Sequence, residues 1–186
     1  MNTLLRSVPF LCLAVPAAAL AQALYPSDGI FAYIGAGRSY KILGSRDVRD
    51  GASIGFQRVL VDGYLRKLAP TIHEVETVYL LGHDGNDHKF GETHTVAGGA
   101  MYGMRVDFLP RQRYFIEYSF GPQFDTVRSH GLPSVFNVTP TFLLGTVIPG
   151  KRPVEIGLQF QHISNIYTQR PNFGLDFAQF VVGIRI

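Results

Sequence analysis

His162 and Ser164 stand two residues apart near the end of the chain, within Gln161-His162-Ile163-Ser164-Asn165. On a β-strand that spacing sends both side chains from one face, with Cα atoms ~6.6 Å apart at ~3.3 Å per residue. An imidazole so placed can reach a serine hydroxyl and take its proton, which makes the serine a nucleophile. The row they end reads Val154, Ile156, Leu158, Phe160, His162, Ser164, four apolar residues followed by two of catalytic type. Asp176 follows, in the last alternating segment. A hairpin centred near Gln169 or Arg170 sets Asp176 opposite His162 or Ser164 and diagonal to the other. Same-face neighbours across a ladder lie ~5.5 Å apart directly and ~7–8 Å diagonally. A carboxylate there can hold the tautomer of the histidine and stabilise its imidazolium, the third role in a Ser-His-acid triad.

Strands must position these groups, and the chain is rich in strand signals. Eight segments alternate apolar and polar residues between clusters of Gly, Pro and Asp: about 29–39, 51–61, 70–82, 94–109, 112–124, 134–147, 152–164 and 175–186. In the fourth, Ala100, Tyr102, Met104, Val106 and Phe108 share one face, while Arg105 and Asp107 point the other way. Period-two patterning over ~10 residues is the strand signal, and charges opposite an apolar face fit a transmembrane barrel with lipid outside and a polar lumen. The expected fold is all-β: an eight-stranded antiparallel transmembrane β-barrel. A soluble lipocalin-like barrel also alternates, with its apolar face inward. If even-numbered residues of the last two strands face lipid, His162, Ser164 and Asp176 lie on the outer surface at the external end.

With the N-terminus on the periplasmic side, external loops are expected at about 40–50, 83–93, 125–133 and 165–174. Short turns fall at Pro110-Arg111 and from Ile148 to Lys151, and a longer one at about 62–69. Pro140 lies inside the sixth segment, where a closed barrel offers no free edge, so a bulge is expected there. Arg105, Asp107 and Glu117 are expected to form a buried charge network in a narrow lumen.

The first residues read as a secretory signal peptide: Arg6 is followed by the apolar stretch from Pro9 to Leu20 and then by small-x-small cleavage sites after Ala21 or Ala23. Residues 1–23 are assigned to the signal and 24–186 to the barrel. The single cysteine, Cys12, falls in the signal, so the mature chain is read as lacking thiol, disulfide and Cys-based metal chemistry. Loss of Arg6 takes the formal charge from +3 to +2, spread along the chain. That spread gives no support for a nucleic-acid partner and mild support for a phosphate-rich or anionic-lipid neighbour.

The stretch His162-Ile163-Ser164-Asn165, a loop with Pro171-Asn172 and Gly174, then an acid and a final barrel strand resemble the lipid A 3-O-deacylase (PagL-type) family. The similarity is specific over about residues 150–186. The resemblance implies an outer-membrane esterase that cuts the 3-O-linked acyl chain from the lipid A of lipopolysaccharide, with its site on the lipid-facing exterior. It implies Ser164 as nucleophile, His162 as general base and then acid, and Asn165 as a contributor to the oxyanion hole. Asp176 stands where the family has glutamate, and Ile166-Tyr167 where a small residue and a glycine usually follow the asparagine. No cofactor and no metal are expected. His83, His88 and His94 with Asp84, Asp87 and Glu92 read as a solvated external loop rather than a metal site. A homodimer is left open. The competing reading is a non-enzymatic small barrel of the OmpA or OmpX type, working through its loops; a soluble periplasmic lipid-binding barrel is a third.

Overall fold

The computed structural model describes residues 29–43, 48–60, 63–69, 71–87, 91–108, 113–129, 131–170 and 172–186. The expected signal peptide and its cleavage sites lie outside these. Eight strands run in order: β1 (Gly29–Tyr40), β2 (Arg49–Leu60), β3 (Ile72–Asp87), β4 (Gly91–Phe108), β5 (Tyr114–Asp125), β6 (Phe136–Ile148), β7 (Val154–Ile163) and β8 (Leu175–Arg185). Each pairs antiparallel with its sequence neighbour, and β1 pairs with β8, so the sheet closes into a barrel. Closure leaves no strand edge unpaired, which is what the apolar interior of a bilayer demands of a sheet.

Alternation fixes which face is which. Ile34, Ile54, Phe56, Leu80, Tyr102, Phe120, Phe142, Leu158, Phe160 and Phe180 are exposed on the outside. The lumen holds charge: Arg105, with no exposed surface, donates to Glu117 at 3.0 Å, to Glu155 and to Gln57. Further along, Tyr79 donates to Gln123 at 2.7 Å and Gln161 to Thr139 at 2.9 Å. A soluble barrel would invert this arrangement. Apolar outside and polar inside is the transmembrane pattern. The expected lumen network is present with two changes: Glu155 joins Arg105, and Asp107 pairs instead with His73 at 3.0 Å.

Three local expectations change. β3 and β4 extend beyond the expected loop boundaries to Asp87 and Gly91, so most of 83–93 is hairpin; polar residues on an exposed strand end mimic loop composition. The long connection after β2 contains a short 3-10 helix, Tyr64–Lys67. Pro140 produces no bulge. The β6–β7 pairs run from Ile148↔Val154 to Thr141↔Gln161 and resume at Val138↔Ser164 in the same register, with no residue inserted. Val138 and Ser164 exchange both backbone hydrogen bonds, so the pair two places on, Pro140 with His162, is of the same hydrogen-bonded kind. Proline has no N–H to give, and the ladder lapses opposite His162.

Candidate active site

β7 leaves the end of the barrel bearing the chain termini at Val154 and reaches the opposite, loop end at Ile163. Its even-numbered side chains face outward, and the alternation continues past the strand: Gln161, Ile163 and Asn165 are buried, while His162 and Ser164 are partly exposed. The β7–β8 register pairs His162 directly with Asp176. Nδ1 of His162 lies 2.6 Å from Oδ1 of Asp176, with 26% of the histidine side chain and 9% of the aspartate side chain exposed. The shorter acid therefore reaches the ring without any shift in register. The second carboxylate oxygen, Oδ2, is buried and has no hydrogen-bond partner. Among the described residues the imidazole is the one group bonded to this carboxylate, which fixes the orientation of the ring.

With Nδ1 committed to Asp176, Nε2 is the nitrogen left for proton transfer. Two residues on, just past the last ladder pair Ile163↔Leu175, continuation of the same register sets Gly174 opposite Ser164. A Cβ on Gly174 would meet His162 Cε1 at 2.8 Å and Nε2 at 3.4 Å. The ring therefore leans over Gly174 from its own pair toward the pair that holds Ser164. Gly174 also has φ of 66°, in the left-handed region where glycine alone pays no steric cost. Ser164 is held through its backbone by Val138, and its hydroxyl makes no hydrogen bond among the described residues. Such contacts often close only once substrate is bound.

Asn165 does not share the outward face of His162 and Ser164. Its side chain turns inward and is 2% exposed, with Nδ2 donating to the Gln169 carbonyl at 3.0 Å. Its backbone N–H goes to Asn172 Oδ1 at 3.2 Å, and its carbonyl accepts from Thr168 N at 3.0 Å and Thr168 Oγ1 at 2.8 Å. Asn165 is thus the anchor of the loop, with both donor groups engaged. Its alternation parity, opposite to that of Ser164, was the sequence signal for this. The Thr168-to-Asn165 bond closes a β-turn whose central residues, Ile166 and Tyr167, have φ of 50° and 59°. Positive φ at both central positions is a type I′ pattern, normally filled by Asn and Gly. The chain thus holds two bulky residues where glycine fits, at a cost of ~1–3 kcal/mol each. Neither the Ile166 N–H nor the Tyr167 N–H has a partner among the described residues.

His83 and His94 do not converge. His83 is buried in the lumen against Asp125 and Phe177, whereas His94 is on the outside, 2.9 Å from Asp84. His88 and the side chains of Asp87 and Glu92 lie outside the description. Among the described residues no group of three His, Cys, Asp or Glu could hold a metal ion.

The model of the family described as lipid A 3-O-deacylase (PagL) matches residues 69–185. The chain belongs to that family. Among solved structures it is similar to the crystal structure of the outer membrane enzyme PagL, at 13% identity and a TM-score of 0.56, covering 86% of this chain and 100% of that one. At that identity the likeness speaks for the fold alone, a closed antiparallel β-barrel of eight strands. No curated protein matches the chain. The PagL family match begins at β3 and runs through β8, so it includes all four expected site residues and leaves out β1, β2 and the connection between them. Nothing in these similarities supports the homodimer that the sequence left open.

Proposed function

We propose that this chain is a serine esterase that removes the 3-O-linked acyl chain from lipid A, working from the lipid-facing side of the barrel. The observation that carries this reading is the His162–Asp176 contact at 2.6 Å, on the outer face at the end of an apolar row. A membrane lipid reaches such a site by lateral diffusion, without passing through the charge-filled lumen.

Ser164 Oγ attacks the ester carbonyl carbon while His162 Nε2 takes the hydroxyl proton. Asp176 holds the ring through Nδ1 and stabilises the imidazolium. The negative charge that develops on the carbonyl oxygen needs donors set in advance, each worth ~3 kcal/mol in comparable sites. The unengaged N–H groups of Ile166 and Tyr167 are available for this, and the inward Asn165 holds the turn that presents them. The bond to the sugar oxygen then breaks, and His162 returns its proton to that oxygen. Water attacks the acyl-Ser164 carbonyl, His162 takes the water proton and passes it to Ser164, and the fatty acid leaves. The role of Asn165 is thus to shape the oxyanion site rather than to donate from its side chain.

The test is fatty-acid release from lipopolysaccharide by the detergent-folded barrel and its Ser164→Ala and His162→Ala variants. Both substitutions abolish release and leave the barrel folded. Release near the wild-type rate from either folded variant would overturn the assignment.

A further inference from the structure

On the far side of the barrel from His162, the lipid-facing wall carries an ion pair. Arg58 and Glu76 are direct partners of the β2–β3 ladder, and both side chains point outward. The row they stand in leaves β1 at Ile30, crosses β2 to β6, reaches His162 and Asp176, and returns to β1 at Tyr40. It therefore climbs the barrel as it goes round. With strands tilted ~40° and ~4.8 Å apart, the climb is ~3 Å per strand, which sets Arg58 ~15 Å below His162. Arg58 lies two residues from the end of β2, at the end of the barrel that bears the chain termini. Charged groups on a lipid-facing strand cost free energy unless opposite charge meets them. Arg58 Nη1 and Glu76 Oε2 are 3.9 Å apart, too long for a hydrogen bond, and their side chains are 47% and 52% exposed. The neighbouring carboxylate, Glu74, is spoken for: it is buried against Gly63 and accepts the Tyr102 hydroxyl.

From this pair toward the middle of the membrane, the wall is hollowed into a groove of about 520 Å³. Ala100 gives it depth: its small side chain lies opposite Val78, among the larger Phe56, Tyr102 and Phe120. We infer that this face binds one phospholipid with an ammonium headgroup, its phosphate on Arg58, its ammonium on Glu76 and an acyl chain in the groove. Charge complementarity favours this occupant. The exposed pair offers one cation and one anion side by side, and a zwitterionic headgroup carries the same two charges on adjacent groups. An anionic headgroup would bring its phosphate to Arg58 and leave Glu76 with no cation. Arg66 and Lys67, in the connection below, do not line the groove. Direction agrees as well, since the groove runs from the charges along the strands, as an acyl chain runs from its headgroup. The pair is at the opposite end of the barrel from Ser164, so the occupant belongs to the other leaflet and the inference is independent of the esterase reading.

The experiment is native mass spectrometry of the detergent-folded barrel with equimolar phosphatidylethanolamine and phosphatidylglycerol of identical acyl chains. The wild type retains one phosphatidylethanolamine, preferred on the order of tenfold, because a hydrogen bond to a charged group changes affinity by about that factor or more. Glu76→Gln removes the preference, and so does Arg58→Leu/Glu76→Leu, which lowers retention of both lipids to one level. Ala100→Phe fills the groove and lowers retention of phosphatidylethanolamine by a similar factor. All three substitutions change only the lipid-facing surface, and the heat-dependent shift in gel mobility checks that each barrel is folded. Equal retention of the two lipids by the wild type overturns the inference, as does a preference that survives the double substitution. Undiminished retention by folded Ala100→Phe, or a dimer of the chain in place of the lipid adduct, overturns it too.

Discussion

His162 and Asp176 face each other as a direct pair of the β7–β8 ladder, with Nδ1 and Oδ1 2.6 Å apart. Two strands joined by a loop thereby fix a base and its acid by register alone. The contact needs no flexible side chain to find its place, and it lies on the face of the barrel that meets lipid. Aspartate serves here because directly opposed residues are already close. A longer acid would have to fold back.

Asp176→Asn keeps the size of the side chain and removes its charge. Deacylation then falls, but by about two orders of magnitude less than with Ser164→Ala, because the acid orients and supports the base without touching substrate. The check is the initial rate of fatty-acid release from lipopolysaccharide for the two variants under one condition. Equal losses would place Asp176 in the chemistry itself.

Gly174→Ala puts a methyl group 2.8 Å from His162 Cε1 and forces a side chain onto a φ of 66°. The ring must move away from Ser164, and a displacement of ~1 Å at a reacting group can cost ~10²-fold in rate. The expected outcome is a fall in kcat with little change in KM, in a barrel that still shows its heat-dependent shift in gel mobility. A variant with wild-type kcat would show that the ring does not depend on that close approach.

The Ile166–Tyr167 turn separates the backbone from its side chains. Tyr167→Gly removes a strained φ of 59° and keeps the N–H in place. The variant therefore retains deacylation and gains up to ~1 kcal/mol of resistance to urea unfolding, less the entropy that glycine adds to the unfolded chain. Loss of activity with the fold intact would assign the work to the tyrosine ring rather than to the backbone.

Arg105 tests the lumen. It is completely buried between Glu117 and Glu155, and Arg105→Met leaves two carboxylates facing each other without a cation. Breaking a buried ion pair costs about 3–5 kcal/mol. Urea unfolding in detergent should show a loss of that size, while the folded fraction still cleaves lipid A, since the site is on the outer wall.

The strand count and the outward face were legible because the barrel is built from a period-two pattern that each strand carries on its own, although the polar ends of β3 and β4 read as loop. The approach of Asp176 to the His162–Ser164 pair was legible for the same reason, while its choice of His162 as direct partner was not, because the loop sets the centre of the hairpin. Other features depend on contacts that no local pattern encodes. Ile42 and Leu43 come beside His162 and Asp176 only because β1 closes the barrel onto β8. Glu155 of β7 finds Arg105 of β4 across the lumen, whereas His73 meets Asp107 as a diagonal neighbour on the adjacent strand. Pro140 was expected to force a bulge, yet its missing N–H costs one ladder bond and no insertion. Asn165 is expected at the oxyanion site through the family resemblance, and its parity in the alternation turns its side chain inward, where it holds the following turn.

The most direct measurement of the central claim is the mass of lipid A after lipopolysaccharide is incubated with the purified, detergent-folded barrel. The account predicts the loss of one 3-O-linked acyl chain with the wild type and no change with Ser164→Ala. Lipid A left intact by the wild type, or the same loss with folded Ser164→Ala, would contradict it.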